Sequence, residues 1–259
     1  PITAPELKFA ERRGLKPGRR LSCHTKVLND IVVDVPAESQ VHHQMVRKDA
    51  EHHDIDINPL VRLYYVEVQE PDMHDPSGDL RRLLNALEAD WQLLNLSYDV
   101  ALLATIQPIL RAGNWGVTVA VRQGEQIVAL WPGLKDRIFG VALDVGSTTI
   151  AAHLCNLSSG EVVASSGVMN PQIRFGEDLM SRVSYVMMNP GGEVDMTNAV
   201  REAINGLVTD LVKQAECETA DLLEITFVAN PIMHHLLLGI NPIELGGAPF
   251  ALATDMAVN

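Results

Sequence analysis

Apolar and polar positions fall into blocks of two kinds along this chain, one repeating every second residue and one every three to four. Ala4 to Arg13 predicts a short helix, which Gly14, Pro17 and Gly18 break. Val27 to Val35 alternates around Asp30 and Asp34 and predicts a strand closed by Pro36. Residues 37–59 have no period and read as a polar linker. Val61 to Val68 predicts a strand. Leu80, Leu83, Leu84, Leu87 and Trp91 then fall at i, i+3, i+4, i+7 and i+11, the apolar stripe of a helix. Ser97 is placed to cap a second helix carrying Leu102, Leu103 and Ile106, which Pro108 should kink or end. Val117 to Val121 and Ile127 to Trp131 predict a hairpin around Gly124. The order β-α-α-β-β makes residues 60–133 a small α+β unit.

From residue 137 the pattern changes. Ile138 to Leu143, Ile150 to Leu154 and Glu161 to Val168 predict successive strands. Gly176 precedes a helix with Glu177 and Asp178 in its first turn, where acids suit the helix dipole. After the break Asn189-Pro190-Gly191-Gly192, residues Val200, Ile204, Leu207, Val208, Leu211 and Val212 repeat at helical spacing. Glu224 to Val228 predicts a buried strand. Asn230 then caps a helix with Pro231 at its first position and Gly239 just past its end.

Candidate chemistry concentrates between the first two of these strands, at Asp144-Val145-Gly146-Ser147-Thr148-Thr149. Gly146 allows a positive φ and keeps side chains away from the backbone amides. Ser147, Thr148 and Thr149 add hydroxyl donors. Amides gathered in a tight turn form an anion-binding concavity. Asp144, at the strand end, suits Mg²⁺ held through waters. The tip therefore suits a Mg-phosphate group; the alternative is a polar turn that simply faces water.

Composition narrows the choices. A chain of 259 residues suggests two domains at roughly 150 residues each. No apolar stretch approaches the roughly 18 residues of a membrane span, and Pro1 to Glu6 is no secretory signal. Cys23, Cys155 and Cys217 lie far apart, which is no disulfide framework and fits a reducing, cytoplasmic setting. The net charge is −13. Residues 1–50 carry 9 Lys and Arg against 6 Asp and Glu, so the acid lies in the body of the chain, which argues against nucleic acid. The pairs His42-His43 and His52-His53 have no completing ligand spacing and read as part of a solvated connector. His234 and His235, inside an apolar helix, read as one buried and one surface histidine rather than as metal ligands. The ends, Pro1 and Ala253 to Asn259, suggest a piece of a longer protein.

Two resemblances extend this reading. Arg20-Leu21-Ser22-Cys23-His24-Thr25, leading into a strand that ends at Pro36, resembles the tail of a plant-type [2Fe–2S] ferredoxin, whose last cysteine ligand lies downstream of the other three. Taken alone, Cys23 is a small buried hydrophobe. The resemblance makes it one iron ligand, with three more outside this chain. Three antiparallel strands, helices, a further strand and a capped helix resemble the first subdomain of the actin–sugar kinase–heat-shock ATPase superfamily. There the first hairpin is the phosphate-1 loop, which Asp144, Gly146, Ser147, Thr148 and Thr149 would occupy here.

More narrowly, the combination resembles the reductive activators of corrinoid proteins. Matching stretches are Asn170-Pro171-Gln172, Phe175 to Arg182, Met233 to Gly239 and Leu245 to Phe250. The implied fold class is α/β and α+β multidomain. Residues 1–36 would be a truncated [2Fe–2S] ferredoxin-like tail, 37–59 a linker, 60–133 an α+β middle domain, and 137–259 the first half of an actin-like ATPase domain. The implied function is ATP-dependent reductive activation of a corrinoid protein, with one-electron reduction of Co(II) to Co(I) through the [2Fe–2S] cluster. The cofactors are that cluster, ATP and Mg²⁺. The partners are a corrinoid protein of a methyltransferase system and an upstream electron donor, without nucleic acid or membrane; oligomeric state, homodimer included, stays open. A second phosphate loop and the adenosine site would lie beyond Asn259, so this stretch alone is expected to bind nucleotide weakly. Relatives usually carry Gly where this chain has Ala229, a position at which a Cβ could crowd a nucleotide, although a silent change is the favoured reading. A small-molecule kinase of the same superfamily and a non-enzymatic docking module remain alternatives.

Overall fold

The fold is described from a computed structural model, which covers residues 56–256 together with positions 7, 11, 14, 19, 20, 28–30 and 32. The Val27–Val35 strand, the linker histidines and Cys23 lie outside the described residues, apart from single positions in the strand. The chain divides into two compact units, residues 1–43 and residues 44–259, and both sheets belong to the second.

The first sheet has the order β1-β3-β4-β2. Its strands are β1 (Val61–Glu67), β2 (Ser97–Tyr98), β3 (Gly116–Arg122) and β4 (Gln126–Pro132). β3 lies between β1 and β4, antiparallel to both. The β3–β4 turn has positive φ at both Gln123 and Gly124, the twist that suits a two-residue hairpin. Helices α1 (Asp79–Trp91) and α2 (Val100–Ala112) cover one face. Leu83, Leu87, Ile106 and Leu110 pack there against Val117, Val119 and Val121. On the other face Ala120 meets Val61 and Ile138, where the second sheet begins.

Two expectations change here. Ser97 is not a helix cap: its backbone and hydroxyl both bond to the Glu125 carbonyl, which makes it part of β2. Asp99 caps α2 instead, accepting from the Ala101 amide at 2.7 Å. Nor does Pro108 end the helix, which runs on to Ala112.

The second sheet has the order β7-β6-β5-β8, with β5 (Phe139–Val145), β6 (Thr149–Asn156), β7 (Val162–Met169) and β8 (Leu222–Ala229). β5, β6 and β7 form an antiparallel meander, and β8 runs parallel to β5. The crossover carries α3 (Leu179–Met188) and α4 (Gly192–Gln214); α5 (Pro231–Leu238) follows β8. Glu177 and Asp178 precede α3 rather than fill its first turn, and Asp178 is its cap. Alternation puts Val141, Leu143 and Val145 on the face that packs against Val183, Met196, Val200, Leu207, Leu211 and Leu236. Ala229 pairs with Val145 and packs against this same core. β8 is less buried than its apolar run predicts, with Ile225 54% and Val228 63% exposed. The molecule described is thus a mixed α/β structure with two small four-stranded sheets.

Candidate functional site

The β5–β6 turn is built around a close approach rather than a rare backbone angle. Gly146 does not adopt a positive φ. A Cβ on it would instead lie 2.8 Å from the Thr149 carbonyl oxygen, the acceptor of the Gly146 amide at 3.0 Å. Only a residue without a side chain closes the hairpin this way. Thr148 is exposed, and Gly146, Ser147 and Thr149 are half-buried, so the tip reaches solvent. None of the three hydroxyls bonds to another group among the described residues.

The carbonyls of the tip all face the protein. The Asn170 side-chain amide donates to Gly146 O at 2.8 Å. The Arg182 Nη2 donates to Ser147 O. The Asn170 backbone amide donates to Thr148 O at 2.8 Å. In a planar trans peptide the C=O and the following N–H point in opposite directions. Carbonyls held inward therefore turn the Ser147, Thr148 and Thr149 amides outward, which is the arrangement an anion requires.

The bed beneath the tip is buried and polar. Asn170, Gln172, Arg182 and Met233 are all at most 1% exposed. Asn170 follows β7 and caps the single turn Pro171–Phe175, accepting from the Gln172 amide at 2.9 Å. Gln172 donates to Met196 O at 3.0 Å and accepts from Arg182 Nη1 at 3.3 Å. Arg182 Nε donates to Gly176 O at 2.9 Å, and Nη1 reaches the Met233 sulfur at 3.0 Å. Burial pulls the Arg182 pKa below its ordinary value, opposed by the charge of Asp178. A Cβ on Gly176 would lie 2.7 Å from the Arg182 amide, so this glycine lets the chain pass the start of α3. Asp178 caps α3 through the Ser181 amide at 2.7 Å and hydroxyl at 2.9 Å, and these bonds hold its carboxyl below the usual range.

Sequence reasoning placed Asp144 and residues 146–149 together and missed the bed. Asp144 is half-buried on β5, paired with Ala151 and Val228. It stands on the sheet face opposite Val141, Leu143 and Val145. The signal for Arg182 was present: Leu179, Arg182, Val183 and Val186 share one helix face, so a charged residue occupies a core position.

The other candidates are separate from this site. Among the described residues no group of three or more His, Cys, Asp and Glu is arranged to hold a metal. Cys155 lies on β6 and Cys217 follows α4; burial raises both thiol pKa values and keeps the thiolate form scarce. His235 is buried with both ring nitrogens engaged, Nδ1 with Pro231 O at 2.7 Å and Nε2 accepting from the Ala253 amide at 3.0 Å. His234 is half-buried beside the Phe227 ring at 5.7 Å. No helix among the described residues is long and apolar enough to cross a membrane.

Comparison with known proteins gives consistent matches. The RACo middle-region family model covers residues 139–259, and the RACo linker-region model covers residues 50–137. The corrinoid activation enzyme RamQ of Eubacterium limosum is 32% identical over 129 residues, 49% of this chain and 22% of that protein. A solved structure of a reductive activator for corrinoid, iron-sulfur protein superposes with a TM-score of 0.66 at 31% identity, over 85% of this chain and 37% of that one. The chain thus spans well under half of the length of either relative.

Proposed function

We propose that this chain is part of a RACo-type corrinoid activator, and that the intact protein uses ATP to drive one-electron reduction of a corrinoid from Co(II) to Co(I). Residues 137–259 would form the first half of an actin-like ATPase domain, residues 60–133 a middle domain, and residues 1–36 the end of a ferredoxin-like domain joined by the linker 37–59. The inward-turned carbonyls of the β5–β6 tip carry this reading, because they leave the Ser147, Thr148 and Thr149 amides aimed at solvent. The three uncommitted hydroxyls support it too.

In this reading the amides and hydroxyls of Ser147, Thr148 and Thr149 hold phosphate oxygens, Gly146 closes the turn that presents them, and Asp144 orients the waters of Mg²⁺. ATP would supply the free energy that makes an unfavourable reduction proceed. A [2Fe–2S] cluster would supply the electron. Cys23 would give that cluster one thiolate, with the others outside residues 1–259. The protonated, separated Cys155 and Cys217 do not suit it. The partner would be a corrinoid protein of a methyltransferase system, served by an upstream electron donor.

Calorimetric titration of the full-length protein with Mg·ATP tests the site. Asp144→Ala should weaken binding at least about tenfold, the loss expected for a charged hydrogen-bonding partner. Unchanged affinity would remove Asp144 from the site.

A further inference from the structure

Arg182 is fully buried, yet no carboxylate of the described residues pairs with it. The carboxylate whose charge acts on it, Asp178, is exposed and spends its hydrogen bonds on Ser181. Among the described residues every hydrogen-bond partner of the guanidinium is neutral: the Gly176 and Ser147 carbonyls, the Gln172 side-chain oxygen and the Met233 sulfur. A buried cation with only dipoles around it carries a desolvation penalty that an opposite charge would offset. Among the described residues no carboxylate forms an ion pair with this guanidinium. Beside it lies a single peptide group, Ser147–Thr148. Its carbonyl accepts from Arg182 and its N–H faces outward.

Hydrogen bonds in series polarise one another in a low-dielectric setting. A guanidinium on the carbonyl of a peptide makes its N–H a stronger donor. The Ser147 and Thr149 amides are backed only by the neutral amides of Asn170. We infer that Arg182 is a positioning residue of this tip, its buried charge acting through the Ser147–Thr148 peptide to make the Thr148 N–H the leading donor to an anionic phosphate oxygen. The inference rests on the reading of the tip as a phosphate loop. It also answers a difficulty in that reading, since residues 51–259 carry a strong excess of acid and would otherwise repel a polyphosphate.

The test is a Mg·ATP titration of the full-length protein labelled with ¹⁵N at Ser and Thr, following the tip amides by NMR. In the wild type the Thr148 amide should shift further than those of Ser147 and Thr149. Arg182→Gln should raise the apparent Kd about tenfold, as loss of a charge-assisted bond implies, and abolish the Thr148 lead. Arg182→Lys, which keeps the charge, should recover most of the affinity. A purely structural arginine would change stability but neither the order of the amide shifts nor the difference between Lys and Gln. If the wild type binds and Thr148 does not lead, or if a folded Gln variant binds as well as the wild type, the inference falls and the phosphate loop stands. If no tip amide of the wild type moves at saturating ATP, the phosphate loop falls and takes the inference with it. Should the Gln variant not fold, the wild-type shift order and the Lys variant decide the matter alone.

Discussion

Asn170 donates its side-chain amide to the carbonyl of Gly146 at 2.8 Å, across 24 residues of sequence. Its backbone amide holds Thr148 O at the same distance, so one residue pins both shoulders of the β5–β6 tip. Tip geometry therefore depends on the end of β7 as much as on the turn itself.

Asn170→Ala should show this dependence. It leaves the Gly146 carbonyl and the Gln172 amide without their side-chain partners. The expected loss is about 1–3 kcal/mol for a buried group left unbonded. Denaturant titration checks the stability. Hydrogen exchange should accelerate at the two amides that close the tip, those of Gly146 and of position 170, before the rest of the sheet; uniform acceleration would mean that Asn170 does not hold the tip specifically.

Two glycine substitutions should have opposite signs. Gly146→Ala forces a Cβ to 2.8 Å from the Thr149 carbonyl, and overpacking of this kind costs about 1–3 kcal/mol. Gly206 lies inside α4, with nothing within 4 Å of an added Cβ and no positive φ. Gly206→Ala should stabilise by up to about 1 kcal/mol through helix propensity. Thermal melting of both variants checks the pair.

The cap of α3 should make stability depend on pH. Hydrogen bonds from Ser181 lower the folded-state pKa of Asp178 below its model-compound value of 3.8. The contribution is therefore present above that value and is lost as pH falls through the lower folded value. The stability difference between wild type and Asp178→Ala should be full at neutral pH and shrink below pH 3.8. A difference that stays constant down to acid unfolding would contradict the assigned cap.

Thiol chemistry gives an independent check on burial. In a Cys23→Ser background, Cys155 and Cys217 should alkylate more slowly than an unfolded control at mildly alkaline pH, because burial raises both pKa values. Equal rates would place either thiol in a more open setting than β6 or the α4 end provides.

Much of the fold is legible in the sequence, for identifiable reasons. The Leu83–Leu87 stripe, the Gln123-Gly124 turn and the Asn230-Pro231…Gly239 bracket are strong local signals, and tertiary packing agrees with each. Ser97 and Asp99 are both good caps two residues apart, and strand pairing to Glu125 decided between them. β8 reads as buried because a parallel strand normally has a near-continuous apolar run; nothing local says which positions stay open. At the candidate site the turn residues were visible, since Gly, Ser and Thr after an apolar strand are a local pattern. Asn170 and Arg182 act on that turn from other elements, and only the folded chain brings them beneath it.

Single-turnover reduction measures the central claim directly: the full-length protein, its iron–sulfur centre pre-reduced, is mixed with a Co(II) corrinoid protein with and without Mg·ATP. The wild type should form Co(I) faster with ATP, and Asp144→Ala should lose that acceleration while keeping the ATP-independent rate. Equal acceleration in the two proteins, or none in the wild type, would contradict a role for the β5–β6 tip in coupling nucleotide to electron transfer.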